Sequence, residues 1–169
     1  MKLSTLVEKD LILVDQNITS REEAVGRAVN LLFEKKRIRV DKKLILQEIQ
    51  ERDKLGGTVF PTGLAIPHAR IKNYDDLSIV FCLPRKPVDI GGISVSCFVI
   101  MITSAVVSNL YLQVLSNITK MSMDETFFKA LTSAKSQDEI VELLSTIYIK
   151  KELTVDDIMS TDFGSISPE

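Results

Sequence analysis

His68 is the only histidine in 169 residues. It follows the apolar run Leu64-Ala65-Ile66 and Pro67, and Arg70 lies two residues beyond it. Proline has no N–H for a ladder and restricts the residue before it, so the strand expected over Leu64–Ile66 ends there. That places His68 on a fixed corner just past a buried strand, a position suited to a nucleophilic or proton-transferring imidazole. Arg52 and Arg70 are candidate anion clamps, because guanidinium meets phosphate or carboxylate with two parallel hydrogen bonds. The Gly56-Gly57-Thr58 turn adds candidate donors to the same anion, the backbone N–H of Gly57 and the hydroxyl of Thr58. A histidine, two arginines and a glycine turn together point to a phosphoryl group carried on the ring. Taken singly, each arginine also reads as a surface charge and the histidine as a polar-loop residue. No Gly-rich nucleotide loop precedes a Lys-Ser/Thr pair, and no aspartate cluster suggests magnesium. The phosphoryl group is therefore expected from another protein and not from ATP. No cofactor and no metal are expected, since one histidine and two separated cysteines cannot make an ordinary zinc site.

The elements that must position these groups follow from caps and periodicity. Ser20-Arg21-Glu22-Glu23 is a capping box, and Ala24, Val25, Ala28, Val29, Leu32 and Phe33 follow at helical spacing over about 21–36. Asp41 caps a second helix through Leu44, Ile45, Glu48, Ile49 and Arg52, which ends at Gly56-Gly57. Arg52 thus falls in a last turn, close to the loop that leads to His68. Strands are expected over Leu11–Val14, Leu77–Leu83 and Ser96–Thr103, with a short one at Val88–Ile90. Helices follow at about 107–122, after Asp124, and after the second capping box Ser136-Gln137-Asp138-Glu139. Two helices, several strands and three helices predict a single α/β domain with a mixed sheet sandwiched between helices.

Formal net charge is −2, from 21 basic and 23 acidic residues, with no basic excess to attract nucleic acid. Lys35-Lys36-Arg37-Ile38-Arg39 reads as the cationic end of a helix. No apolar run has the length of a membrane span, and Met1–Val7 gives way at once to Glu8-Lys9-Asp10 without a leader pattern. A cytoplasmic chain without direct membrane insertion is expected, with Cys82 and Cys97 as buried thiols. Residues 1–152 are expected to form the domain. Residues 153–169, rich in Gly, Ser and Pro toward the end, read as a tail.

Glu51-Arg52-Asp53, Gly57-Thr58 and Gly63-Leu64-Ala65-Ile66-Pro67-His68-Ala69-Arg70 together resemble the signature of the fructose/mannitol-type enzyme IIA domain of the bacterial sugar phosphotransferase system, a family that includes the nitrogen-regulatory IIA proteins. The likeness runs over roughly residues 3–150. It implies a small mixed sheet between helices. It also implies that His68 accepts a phosphoryl group from the phosphocarrier protein HPr or a relative and passes it to a cysteine of a IIB domain, with Arg52 beside the phosphohistidine. The family's second active-site histidine, followed by leucine, has Asn109-Leu110 at the matching place here. Asparagine carries neither charge nor proton, which puts efficient onward transfer in question. The alternative is a regulatory protein acting through phosphorylation-dependent binding to a target protein. Leu153–Ser160 resembles the opening of a CBS domain, which would make the tail a linker or the start of a second module.

Overall fold

The computed structural model describes residues 1–106 and 109–149. After two short 3-10 turns the chain enters β1 (Ile12–Gln16), then α1 (Arg21–Lys35) and α2 (Lys42–Lys54). Strands β2 (Leu64–Ala65), β3 (His68–Ile71), β4 (Ser78–Pro84), β5 (Val88–Ile90), β6 (Ile93–Val95) and β7 (Cys97–Ser104) follow. Helices α3 (Asn109–Met123), α4 (Glu125–Thr132) and α5 (Gln137–Leu144) close the fold. The expected tail and its CBS-like stretch lie outside the described residues.

Four helices start where their caps predict. The side chains of Ser20, Asp41, Asp124 and Ser136 accept from the backbone N–H of Glu23, Lys43, Phe127 and Glu139. The reciprocal arm of each capping box reaches one residue further back than expected: Glu23 accepts from Thr19 N–H and Glu139 from Lys135 N–H.

The sheet is mixed, in the order β1-β4-β7-β2, with β3 continuing beside β7 after β2. β1 runs parallel to β4, β4 antiparallel to β7, and β2 and β3 parallel to β7. Alternation along the two central strands divides the core, since successive side chains point to opposite faces. Ile79, Phe81 and Leu83, with Cys97, Val99 and Met101, pack against residues of α3, α4 and α5. Val80 and Cys82, with Phe98, Ile100 and Ile102, pack against α1 and α2. α1 and α2 thus cover one face, and α3, α4 and α5 cover the other.

One strand departs from the expectation. His68 is not on a loop corner; it is the first residue of β3, in register with Met101. Pro67 does interrupt the run, but only between two short strands on the same neighbour. The Pro67 carbonyl still accepts from Met101 N–H at 3.0 Å, so the chain leaves the ladder for its missing donor alone. β6 was also not anticipated, being three residues hidden behind the Gly91-Gly92 turn.

Candidate active site

β3 lies beyond β7 at one side of the sheet, and its alternation decides what the site contains. Ala69 and Ile71 belong to the core shared with α1 and α2. His68 and Arg70 therefore point to the opposite side, toward α3. α2 packs along β3 from the other face. At the edge of the strand, between the two helices, lies a cavity of about 530 Å³, lined by His68, Arg70, Arg52, Glu48, Glu51 and Tyr111 together with Leu55 just past α2 and two leucines of α3.

The imidazole is 7% exposed, and its Nδ1 lies 2.7 Å from the carbonyl oxygen of Ile66. A carbonyl can only accept, so Nδ1 carries the proton, and in the neutral ring Nε2 keeps a free lone pair. Burial pushes the ring's pKa down to about 4; the Ile66 bond opposes this, and the charges of Arg52 and Arg70 add to it. At pH 7 the ring is neutral, with its nucleophilic nitrogen available.

Arg52 is in the last turn of α2, where its Nη1 donates to the Gly56 carbonyl at 2.7 Å. That bond uses one donor of the guanidinium and tethers it over the helix end. Neither Arg52 nor Arg70 forms an ion pair among the described residues. Two guanidinium groups without an ion-pair partner, beside a neutral imidazole, make a place for an anion, with the carboxylates of Glu48 and Glu51 on the same cavity wall.

The loop from α2 to β2 carries the backbone of the site. Gly63 has φ +99°, and a Cβ there would meet the Ser94 carbonyl at 3.0 Å, so only glycine fits. From Gly63 the chain doubles back: Phe60 N–H donates to Leu64 O and Ile66 N–H donates to Thr58 O, both at 2.8 Å. The Thr58 hydroxyl, 2% exposed, donates to Asp53 Oδ1 at 3.2 Å. Asp53, Thr58, Ile66 and His68 thus form one continuous chain of hydrogen bonds from α2 to the imidazole.

The structure brings His68, Arg52 and Arg70 together. Gly57 and Thr58 are not among the residues lining the cavity. Asn109 is the exposed first residue of α3, two residues before Tyr111, and it too is not among the lining residues. Tyr111 is the site residue that the motif did not reveal. Its place four and seven residues before Leu115 and Ile118 on an amphipathic helix was the available signal. Its ring centroid is 6.3 Å from that of His68, with the planes at 52°. Burial raises the phenol's pKa, while Arg70 and Arg52 pull it down. Among the described residues no cluster of metal ligands occurs, and no helix is long and apolar enough to cross a membrane.

Residues 5–147 match the family model described as "Phosphoenolpyruvate-dependent sugar phosphotransferase system, EIIA 2". The chain is 26% identical over 149 residues to the 2-O-alpha-mannosyl-D-glycerate-specific EIIABC component of Escherichia coli, covering 85% of this chain but only 22% of that much longer protein. The fold is similar to that of the nitrogen regulatory protein IIA-Ntr from Neisseria meningitidis, with TM-score 0.75 and 23% identity over 83% of this chain and 97% of that one. It is also similar to enzyme IIA mannitol of Escherichia coli, solved in complex with phosphorylated enzyme IIB mannitol. That match has TM-score 0.67 and 20% identity, over 83% of this chain and 98% of that one.

Proposed function

Because the chain belongs to the EIIA 2 family of the phosphoenolpyruvate-dependent sugar phosphotransferase system, and is a phosphoryl-carrier domain of the EIIA type, we propose that His68 Nε2 takes a phosphoryl group from phosphorylated HPr, or a relative of it, and hands it to the cysteine of a IIB domain. The observation that carries this reading is the neutral imidazole, held by Ile66 through Nδ1, beside two guanidinium groups that form no ion pair among the described residues. The Nε2 lone pair forms the new P–N bond as the donor's own P–N bond breaks. Charge spreads over the phosphoryl oxygens in that transition state, and Arg52 and Arg70 stabilise it without reorganisation. Thr58 acts indirectly, its backbone carbonyl accepting from Ile66 N–H in the loop that holds the imidazole. The chemistry takes place in the cytoplasm, where the phosphorylated donor is made.

Incubation with phosphorylated HPr and a panel of IIB domains tests the proposal. Acid-labile label should appear on the wild type and be absent from His68→Gln, since no other imidazole exists to accept it. Label on the variant would refute His68 as the acceptor.

A second reading, regulation by phosphorylation-dependent binding without efficient onward transfer, is favoured by Asn109 at the head of α3. There the family motif places a histidine, and a neutral amide stabilises a transferring phosphoryl group less well than a cation does. Under this reading Asn109→His speeds transfer to a competent IIB domain; an unchanged rate means either that Arg52 and Arg70 already suffice or that Asn109, which is not among the residues lining the cavity, is not the matching position.

A further inference from the structure

We infer that Tyr111 is a positioning residue for phosphoryl acceptance, its ring packing against the imidazole of His68 and holding it where Nδ1–H meets the Ile66 carbonyl. The inference rests on the reading of His68 as the acceptor. A single hydrogen bond at Nδ1 fixes one point of the ring and leaves it free to tilt about that point. Nucleophilic attack needs the Nε2 lone pair aimed along one line, so a second contact must fix the plane.

Tyr111 supplies that contact. Its ring centroid stands 6.3 Å from the imidazole, within the range of interacting aromatic pairs, and inclined at 52°. It reaches the site from α3, whereas the hydrogen bond comes from the turn between β2 and β3, so the imidazole is held from two separate elements. Tyr111 is itself 5% exposed and part of the core that anchors α3, so its ring cannot swing aside cheaply.

Of the residues lining the cavity, Tyr111 is the one for which a ring contact with His68 is observed among the described residues. α2 presents Arg52, Glu48 and Glu51, and β3 presents Arg70; all carry charge and none offers an apolar ring. Besides Tyr111, α3 presents the branched side chains of Leu112 and Leu115. By covering the ring Tyr111 also excludes water from it, which contributes to the burial that keeps it neutral.

The test uses the full chain labelled with 15N, in which the sole histidine gives unambiguous imidazole signals. Those signals report both tautomer and protonation without any donor protein. Tyr111→Phe keeps the ring plane, so it should keep the Nδ1–H tautomer and restore most of the phosphorylation rate that Tyr111→Leu loses. Tyr111→Leu keeps an apolar side chain but loses the plane. Its midpoint should rise by about one pH unit or more, its tautomers should mix, and phosphorylation should slow by about tenfold or more.

A folded leucine variant with the wild-type tautomer and midpoint would overturn the inference. Should that variant not fold, nuclear Overhauser contacts between the Tyr111 ring and the imidazole in the wild type decide the matter, and their absence overturns it. If the wild type accepts no phosphoryl group at all, the carrier reading fails, while the titration still decides what Tyr111 does to His68.

Discussion

Burying an imidazole without letting it charge makes the fold sensitive to acid. The folded midpoint of His68 lies at about 4, below the ordinary value of 6.5, so between those values the unfolded chain binds more protons than the folded one. The contribution to stability is fully present above about pH 6.5 and is lost as pH falls toward 4. A shift of this size corresponds to at most about 3 kcal/mol. Chemical denaturation across that window should show stability falling with acid, and His68→Gln should flatten that part of the curve. Arg52 makes a different kind of contribution, through geometry. A charge-assisted bidentate contact is worth roughly 1.5–3 kcal/mol, which a lysine point charge cannot reproduce. Arg52→Lys should therefore slow phosphorylation of His68 by about ten- to a hundredfold while leaving thermal unfolding unchanged. Phosphorylation at the wild-type rate would show that the guanidinium does not face the phosphoryl group.

Between residue and fold stands the loop from α2 to β2, which turns two constraints into one aimed side chain. Gly63→Ala would force a Cβ against the Ser94 carbonyl at a φ that side chains avoid. It should cost about 2 kcal/mol, seen as a melting temperature several degrees lower. Thr58→Val removes the hydroxyl that ties the loop to Asp53 and leaves the methyl volume in place. It should cost about 1 kcal/mol and also slow phosphorylation, because the Ile66 carbonyl is held through the Thr58 backbone. These same elements mark how far the sequence could be read. Helix starts were legible because caps act locally, and Arg52 was placed correctly at the end of α2 by its spacing from Gly56 alone. β3 was not legible: in His-Ala-Arg-Ile two of four residues serve a cavity and so break the apolar pattern of a core strand. The doubling-back that sets Thr58 against Ile66 depends on a long-range fit at Gly63, and Tyr111 reaches His68 only through the crossing of α3 over the sheet. The first leaves no local signature, and the second leaves only the helical spacing of Tyr111 from Leu115 and Ile118.

At the scale of the whole molecule, the two ends of the described domain are bound to each other. Leu3 N–H donates to Ile147 O at 2.8 Å, Ile149 N–H donates to Met1 O at 2.7 Å, and Lys2 bridges Tyr148. Among the described residues both core layers run no further than Ile149. Removing residues 153–169, whose composition gives few apolar groups to bury, should leave the melting temperature within about 2 °C of the intact chain. A larger fall would show that the tail packs on the domain. Termini that meet at one seam also make the domain indifferent to its place in a host polypeptide. Whether it leads, follows or is spliced into the middle of a longer chain, its entry and exit coincide, and neither neighbour has to be stretched around it. Joining Met1 to Ile149 through a short linker and reopening the chain at the exposed Gly91-Gly92 turn would rewire the connectivity without touching the hydrogen bonds that aim His68.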